Sequence, residues 1–176
     1  MICNRIIEDS HIFEKNNKYI VDTNVLLSLY GNKKYNQQIE SNQKLKKAVQ
    51  YYNRAITQKC TVYIPAIVIS EFVNRFLNEC WMEFQKKNPG KQLDKKKDYR
   101  NTKYYEKDCQ YIKEVIEKQI LSVLKPISDD FDKLPLEQMF KFDEDDFNDR
   151  IVIHIANKND LYVISADVDI KKIKIK

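Results

Sequence analysis

A chain of 176 residues is long enough for one well-cored domain and short for two, and 43% hydrophobic with 32% charged residues describes a packed core under a charged surface, not a disordered segment. Its only glycines are Gly31 and Gly90, which excludes a glycine-rich loop for a dinucleotide or a nucleoside triphosphate, so any phosphate must be met by a cation or by basic side chains. The net charge of +5 is unevenly spread: residues 86–107 carry nine basic residues against Asp94, Asp98 and Glu106, whereas residues 129–149 carry nine acids against Lys133 and Lys141.

In chain order, residues 18–21 read as a short buried strand, followed by Asp22, Thr23 and Asn24 and a second apolar run over 25–29. Residues 43–56 predict an amphipathic helix, with Leu45, Ala48, Val49, Tyr52, Ala55 and Ile56 at three-and-four spacing. The β-branched and aromatic stretch 61–64 predicts a second strand. Pro65 stops it and starts a helix from 66 into the low eighties, with Ile69, Phe72, Val73, Phe76, Leu77 and Cys80 on its apolar side. Asn88-Pro89-Gly90 marks 86–103 as a mobile loop. A long helix over 104–124 is supported by Tyr105, Cys109, Ile112, Ile116, Ile120 and Val123 and must end ahead of Pro126. Pro135 interrupts 129–142, leaving a short helix over 135–140. Asn148 or Asp145 is the expected cap of a last helix carrying Ile151, Val152, Ile155 and Ala156. Residues 161–164 predict a third strand, and Ile173 and Ile175, alternating with lysines, an edge strand.

Strands separated by helices imply an α/β domain with a mainly parallel sheet covered on both faces, and such sheets bind ligands beyond the carboxyl ends of their strands. Acids stand at four such stations. Asp22 follows the first strand, Glu71 lies in Ile67-Val-Ile-Ser-Glu-Phe, Asp149 opens the apolar segment 151–156, and Asp167 with Asp169 follows the third predicted strand. A lone acid is usually a helix cap or an exposed turn residue. A carboxylate between two core segments costs several kcal/mol to bury unless something positive meets it, and four such stations point to a divalent cation. The basic segment suits a polyanion and the acidic one a cation, although the basic run alone is equally well read as a solvated face.

The four cysteines, Cys3, Cys60, Cys80 and Cys109, form no Cys-x-x-Cys pair, and only His11 and His154 could join them, so zinc is not expected. They read as reduced, mostly buried thiols of a cytoplasmic protein. The first fourteen residues carry Arg5, Glu8, Asp9 and Glu14, unlike a secretory leader, and no run approaches the roughly 20 apolar residues of a membrane span. A soluble protein with no membrane partner is expected.

Ile20-Val-Asp22-Thr-Asn24 resembles the opening strand of PIN-domain nucleases, and Ser70-Glu71-Phe72 resembles their second acidic station, on a helix after a strand and a proline. Phe147-Asn-Asp149-Arg-Ile-Val-Ile-His-Ile-Ala156 is similar to their third, an Asp seven residues before a helical Ala, and Ile164-Ser165-Ala-Asp167-Val-Asp169 to their fourth. The resemblance covers residues 18–29, 63–76 and 143–170. It implies a PIN-like three-layer sandwich over residues 1–176, with a longer helical and basic insertion around 82–142, and a chain that ends soon after the fourth station, where family members commonly continue.

The same resemblance implies an endoribonuclease that hydrolyses phosphodiester bonds with Mg2+ or Mn2+. Two divalent ions roughly 4 Å apart neutralise the phosphodiester, acidify water and stabilise the leaving oxygen, and hard oxygen ligands select Mg2+ or Mn2+ over zinc. By the resemblance, Asp22, Glu71, Asp149 and Asp167 form the metal shell, with Asp169 as a further ligand; Ser165 orients the attacking water and Asn24 braces the site. Asp146 competes with Asp149 for the third place, and the register with Ala156 favours Asp149. Lys95, Lys96, Lys97 and Arg75 are candidate contacts for the RNA backbone. Trp81 and the tyrosines are candidates for base stacking, though most tyrosines read as core, and His154 reads as a locally satisfied helix residue. RNA is the implied substrate, with an antitoxin protein, as in the VapC-like toxin branch, and a second copy of the chain as candidate partners. The alternatives are a non-catalytic nucleic-acid-binding or scaffold domain of the same fold, and a metal-dependent phosphatase. An aspartyl-nucleophile phosphatase would want Asp-x-Asp after the first strand, where this chain has Asp22-Thr23-Asn24.

Overall fold

The computed structural model describes Ile7 and residues 10–31, 41–140 and 146–167. Its centre is a four-stranded, all-parallel sheet flanked by helices, built from β1 (Lys18–Val21), β2 (Thr61–Pro65), β3 (Lys125–Ile127) and β4 (Tyr162–Ile164) in the order β3-β2-β1-β4. Tyr19, Ile20 and Val21 are all buried. Because successive strand residues point to opposite faces, that burial requires cover on both sides of β1.

The helices are α1 (Thr23–Tyr30), α2 (Gln43–Thr57), α3 (Ala66–Lys86), α4 (Lys103–Val115), the short α5 (Leu136–Met139) and α6 (Phe147–Lys158). The predicted periodicities of α2, α3 and α6 correspond to real buried faces: Leu45, Ala48, Val49, Tyr52 and Ala55 on α2, Phe72 and Phe76 on α3, and Ile151, Val152, Ile155 and Ala156 on α6. Helices α2 and α6 enter β2 and β4 through twin turns. In one, Lys59 has φ 56° and Cys60 N–H donates to the Ala55 carbonyl; in the other, Asp160 has φ 58° and Leu161 N–H donates to the Ala156 carbonyl. This is the usual left-handed helix ending, made here without glycine.

Four expectations are corrected. Residues 86–103, expected to be a mobile loop, contain a π-helical turn (Lys95–Tyr99) whose Asp94 side chain accepts from Lys96 N and Lys97 N at 2.9 and 2.8 Å. Tyr99 is buried in that turn and donates its hydroxyl to Asp108 at 2.6 Å. The long helix over 104–124 is α4 prolonged by a π-helical stretch, Ile116–Ile120, and Pro126 lies in β3, a strand the sequence reading missed. A proline fits there because β3 is an edge strand, where one missing N–H leaves the ladder intact. Asp146, not Asn148, caps α6, accepting from Asn148 N at 2.8 Å, and Asp145 lies outside the described residues. Finally, His154 Nε2 is buried with no hydrogen-bond partner among the described residues, and burial holds the imidazole below its usual pKa, so its local satisfaction is not found. The expected edge strand at Ile173 and Ile175, like Asp169, lies outside the described residues. Among the described residues no helix is long and apolar enough to cross a membrane.

Candidate functional site

The chain runs outward from β1 through β2 to the edge strand β3, then returns to place β4 on the other side of β1. The direction of winding therefore reverses between β1 and β4, and the carboxyl ends of two such strands open the crevice where α/β sheets bind ligands. Asp22 leaves β1 at this point, and Ser165 and Asp167 leave β4 beside it. The ladder reaches Asp22 itself, whose N–H donates to the Ile164 carbonyl at 3.0 Å.

Asp22 is 3% exposed. A positive partner was expected for it, and the structure supplies neutral donors instead. Asp22 caps α1, its Oδ1 accepting from Thr23 N at 2.6 Å, while Oδ2 accepts from Ser165 Oγ at 2.7 Å and Asn24 Nδ2 at 3.3 Å. The partial positive charge of the helix start adds to these donors. They do not offset burial in full: desolvation, helped by the neighbouring Glu71 and Asp167 charges, pushes the Asp22 carboxyl above the usual carboxylate range. Ser165 bridges two stations, since its Oγ also accepts from Asp167 N at 2.9 Å.

Glu71 comes from the second turn of α3. Pro65 gives that helix no side-chain cap; the Asp129 carboxylate provides one, accepting from Ala66 N and Ile67 N at 2.8 and 3.0 Å. Glu71 Oε2 accepts from Thr23 Oγ1 at 3.0 Å and Asn148 Nδ2 at 3.4 Å, and Oε1 accepts from Arg75 Nη1 at 3.3 Å. Sequence reasoning missed the roles of Thr23 and Asn148. Their only local signal is adjacency to Asp22 and Asp149. Arg75, expected at the RNA backbone, is drawn into the cleft, where Nη1 also donates to Asn24 Oδ1 at 2.8 Å.

Asp149 lies in the first turn of α6, half-buried. Burial first, then the charges of Asp22, Asp167, Asp146 and Glu71, push its carboxyl up to about 8. Hydrogen bonds tie the four segments together: Ser165 joins Asp22 to Asp167, Thr23 joins Asp22 to Glu71, and Asn148, beside Asp149, donates to Glu71. Asp146 is exposed and serves the α6 cap. Two further acids of the run do structural work: Asp129 caps α3 and Asp130 pairs with Lys158.

All four carboxylates are hard oxygen donors, and the chemistry of that set fits Mg2+ or Mn2+. Among the described residues, however, no three His, Cys, Asp or Glu side chains form a group that could hold a metal as they stand. Both oxygens of Asp22 and both of Glu71 accept hydrogen bonds from the chain. The residues to hold a cation would be Asp22, Glu71, Asp149 and Asp167.

The basic residues Lys95, Lys96 and Lys97 sit on the π-helical turn, apart from these contacts. Lys96 and Lys97 are exposed, and Lys95 Nζ donates to Asn78 Oδ1 at 3.1 Å, which ties the turn to α3. Trp81, a candidate for base stacking, is instead buried against Phe84 and Tyr99, with ring centroids 5.9 and 5.7 Å away. Cys60, Cys80 and Cys109 are free. Comparison with protein-family models, with characterised proteins and with solved structures finds no match to this chain.

Proposed function

We propose that this chain is a divalent-metal-dependent endoribonuclease of the PIN type. The observation that supports the reading is that Ser165, Thr23 and Asn148 link the segments bearing Asp22, Glu71, Asp149 and Asp167 beside the point where the sheet's winding reverses, where burial and neighbouring charges raise the Asp22 and Asp149 carboxyls. Clustered carboxylates repel a phosphodiester, so a divalent cation between them and the phosphate is what would make this site useful for nucleic-acid chemistry. A divalent ion there supplies the charge that lets water attack phosphorus and that stabilises the leaving oxygen. The chain's own part is positional. Ser165 and Thr23 N–H orient Asp22, and Thr23 and Asn148 orient Glu71, while a bound cation would favour the ionised form of Asp149.

RNA is the proposed substrate, gripped along its backbone by the lysine turn. A role as the toxin of a toxin and antitoxin pair and a role in RNA processing both follow from this chemistry. One observation favours the non-catalytic alternative of the same fold: no ready-made metal-holding group exists among the described residues. The deciding experiment is cleavage of a mixed RNA pool by the purified protein with Mg2+ or Mn2+, with the cut ends mapped. Activity is expected with either ion and none after chelation; undiminished cleavage in excess EDTA, or none with any divalent ion, sinks the proposal.

The lysine turn gives a separate expectation. Neutralising Lys95, Lys96 and Lys97 together should weaken RNA binding and lower the log-log salt slope by about 2 units, at roughly 0.7 per phosphate contact on a single strand. Turnover at saturating RNA should change little. Unchanged affinity and slope would make the turn a solvated surface only.

A further inference from the structure

Arg75 stands in the acidic cleft, and the chemistry proposed above gives it no work. Its Nη1 donates both to Glu71 Oε1, one helical turn away at 3.3 Å, and to Asn24 Oδ1 at 2.8 Å. An exposed pair of this spacing on a helix surface contributes little by itself. This one is different in its surroundings: its second acceptor, Asn24, is 51 positions away in sequence and itself donates to the buried Asp22. The side chains are partly accessible, 41% for Arg75 and 27% for Glu71, so the guanidinium can leave without unpacking the core.

We infer that Arg75 is the chain's own counter-cation for this cleft, holding Glu71 while no divalent ion is bound and competing with such an ion for that carboxylate. The inference rests on the reading of the cleft as a divalent-ion site. Its physical basis is charge. A dication bound at Glu71 would be repelled by the guanidinium a few ångströms away, even at the dielectric of water, by enough to weaken binding about tenfold. An ion taking Glu71 Oε1 would also displace the Arg75 hydrogen bond. Arg75 therefore sets a threshold: Glu71 keeps a counter-charge in the metal-free protein, and the cation binds only above a concentration at which it displaces the arginine.

The test is Mn2+ binding to the full chain, read by electron paramagnetic resonance of the free ion and by calorimetry, without reference to activity. Arg75→Gln should bind Mn2+ about tenfold more tightly than the wild type at low salt, with the gain shrinking as salt screens the charge. Arg75→Lys, which keeps the charge, should stay close to the wild type. In the unmodified chain, the 15N resonance of Arg75 Nε should shift as Mg2+ is added. Wild-type binding with an unchanged or weakened Arg75→Gln, or an Arg75 resonance that does not move while Mg2+ binds, overturns the inference and leaves the metal reading standing. No Mn2+ binding by the wild type or by Arg75→Gln overturns the metal reading itself.

Discussion

Asp22→Asn is expected to abolish metal-dependent RNA turnover, by on the order of 10³-fold or more (about 4 kcal/mol of barrier), while leaving the fold intact or more stable. The two halves of the expectation come from the same geometry. Asn is as good a helix cap as Asp, so its side-chain oxygen keeps the bond from Thr23 N, and the Ser165 hydroxyl can turn to accept from the new amide. What is lost is the negative charge at the closed end of the cleft. That charge is unfavourable in the metal-free fold, because burial and the Glu71 and Asp167 charges raise the Asp22 carboxyl above its ordinary value of 3.8. A carboxyl with a raised folded pKa lowers stability as pH rises past its unfolded value. Any gain from Asn therefore appears at neutral pH and vanishes in acid, where both states of Asp22 are protonated. Single-turnover cleavage and thermal unfolding in EDTA would be measured side by side. Near-normal turnover by a folded Asp22→Asn protein would remove Asp22 from the site.

Asp149→Asn is expected to lose metal-dependent turnover by orders of magnitude, and Asp146→Asn to lose little. Asp146 is an exposed cap of α6, a task Asn performs equally well, whereas Asp149 lies one turn further into the cleft. The pH dependence separates the two acids without any assay of activity. The unfolded Asp149 titrates near 3.8, and the folded one is pushed up to about 8 by burial and four neighbouring carboxylates. Between those values the folded state keeps a proton that the unfolded state has released, so the metal-free protein loses stability from about pH 4 to about pH 8 and levels off above. Asp149→Asn removes this contribution: it should melt close to the wild type at pH 4 and several degrees higher at pH 8, in EDTA. Asp146→Asn should keep most of the wild-type dependence, with its upper end drawn below pH 8, because the Asp146 charge is one of the four that raise Asp149. Equal losses of turnover in both variants, or the reverse order, would show that the wrong acid has been given the third place.

The strands β1, β2 and β4 and the helices α2, α3 and α6 were legible in the sequence because each is declared locally: apolar side chains recur at the period of the element and Pro65 marks a boundary. The positions of Asp22, Glu71, Asp149 and Asp167 relative to those elements were legible for the same reason. The partners of each acid were not. Thr23 and Asn148 meet at Glu71, Ser165 meets Asp22 from 143 positions away, and Asp129 caps α3 from 63 positions away, contacts that exist only once the sheet order puts β4 beside β1 and β3 beside β2. Strand β3 escaped notice because its three residues include a proline and show no period, and only an edge position makes them a strand. The basic run read as a loop because polar residues dominate it, yet one buried aromatic, Tyr99, packs against Trp81 and Phe84 and folds the turn around itself. Arg75 could be assigned to phosphate from its charge alone; its place beside Glu71 and Asn24 is decided by the packing of α3 against α1. Periodicity and punctuation thus determine which elements form and which residues stand at their ends, because both act over a few neighbouring residues. Which ends meet, and hence which charges face one another, depends on pairings between segments distant in the chain, and that only the assembled sheet decides.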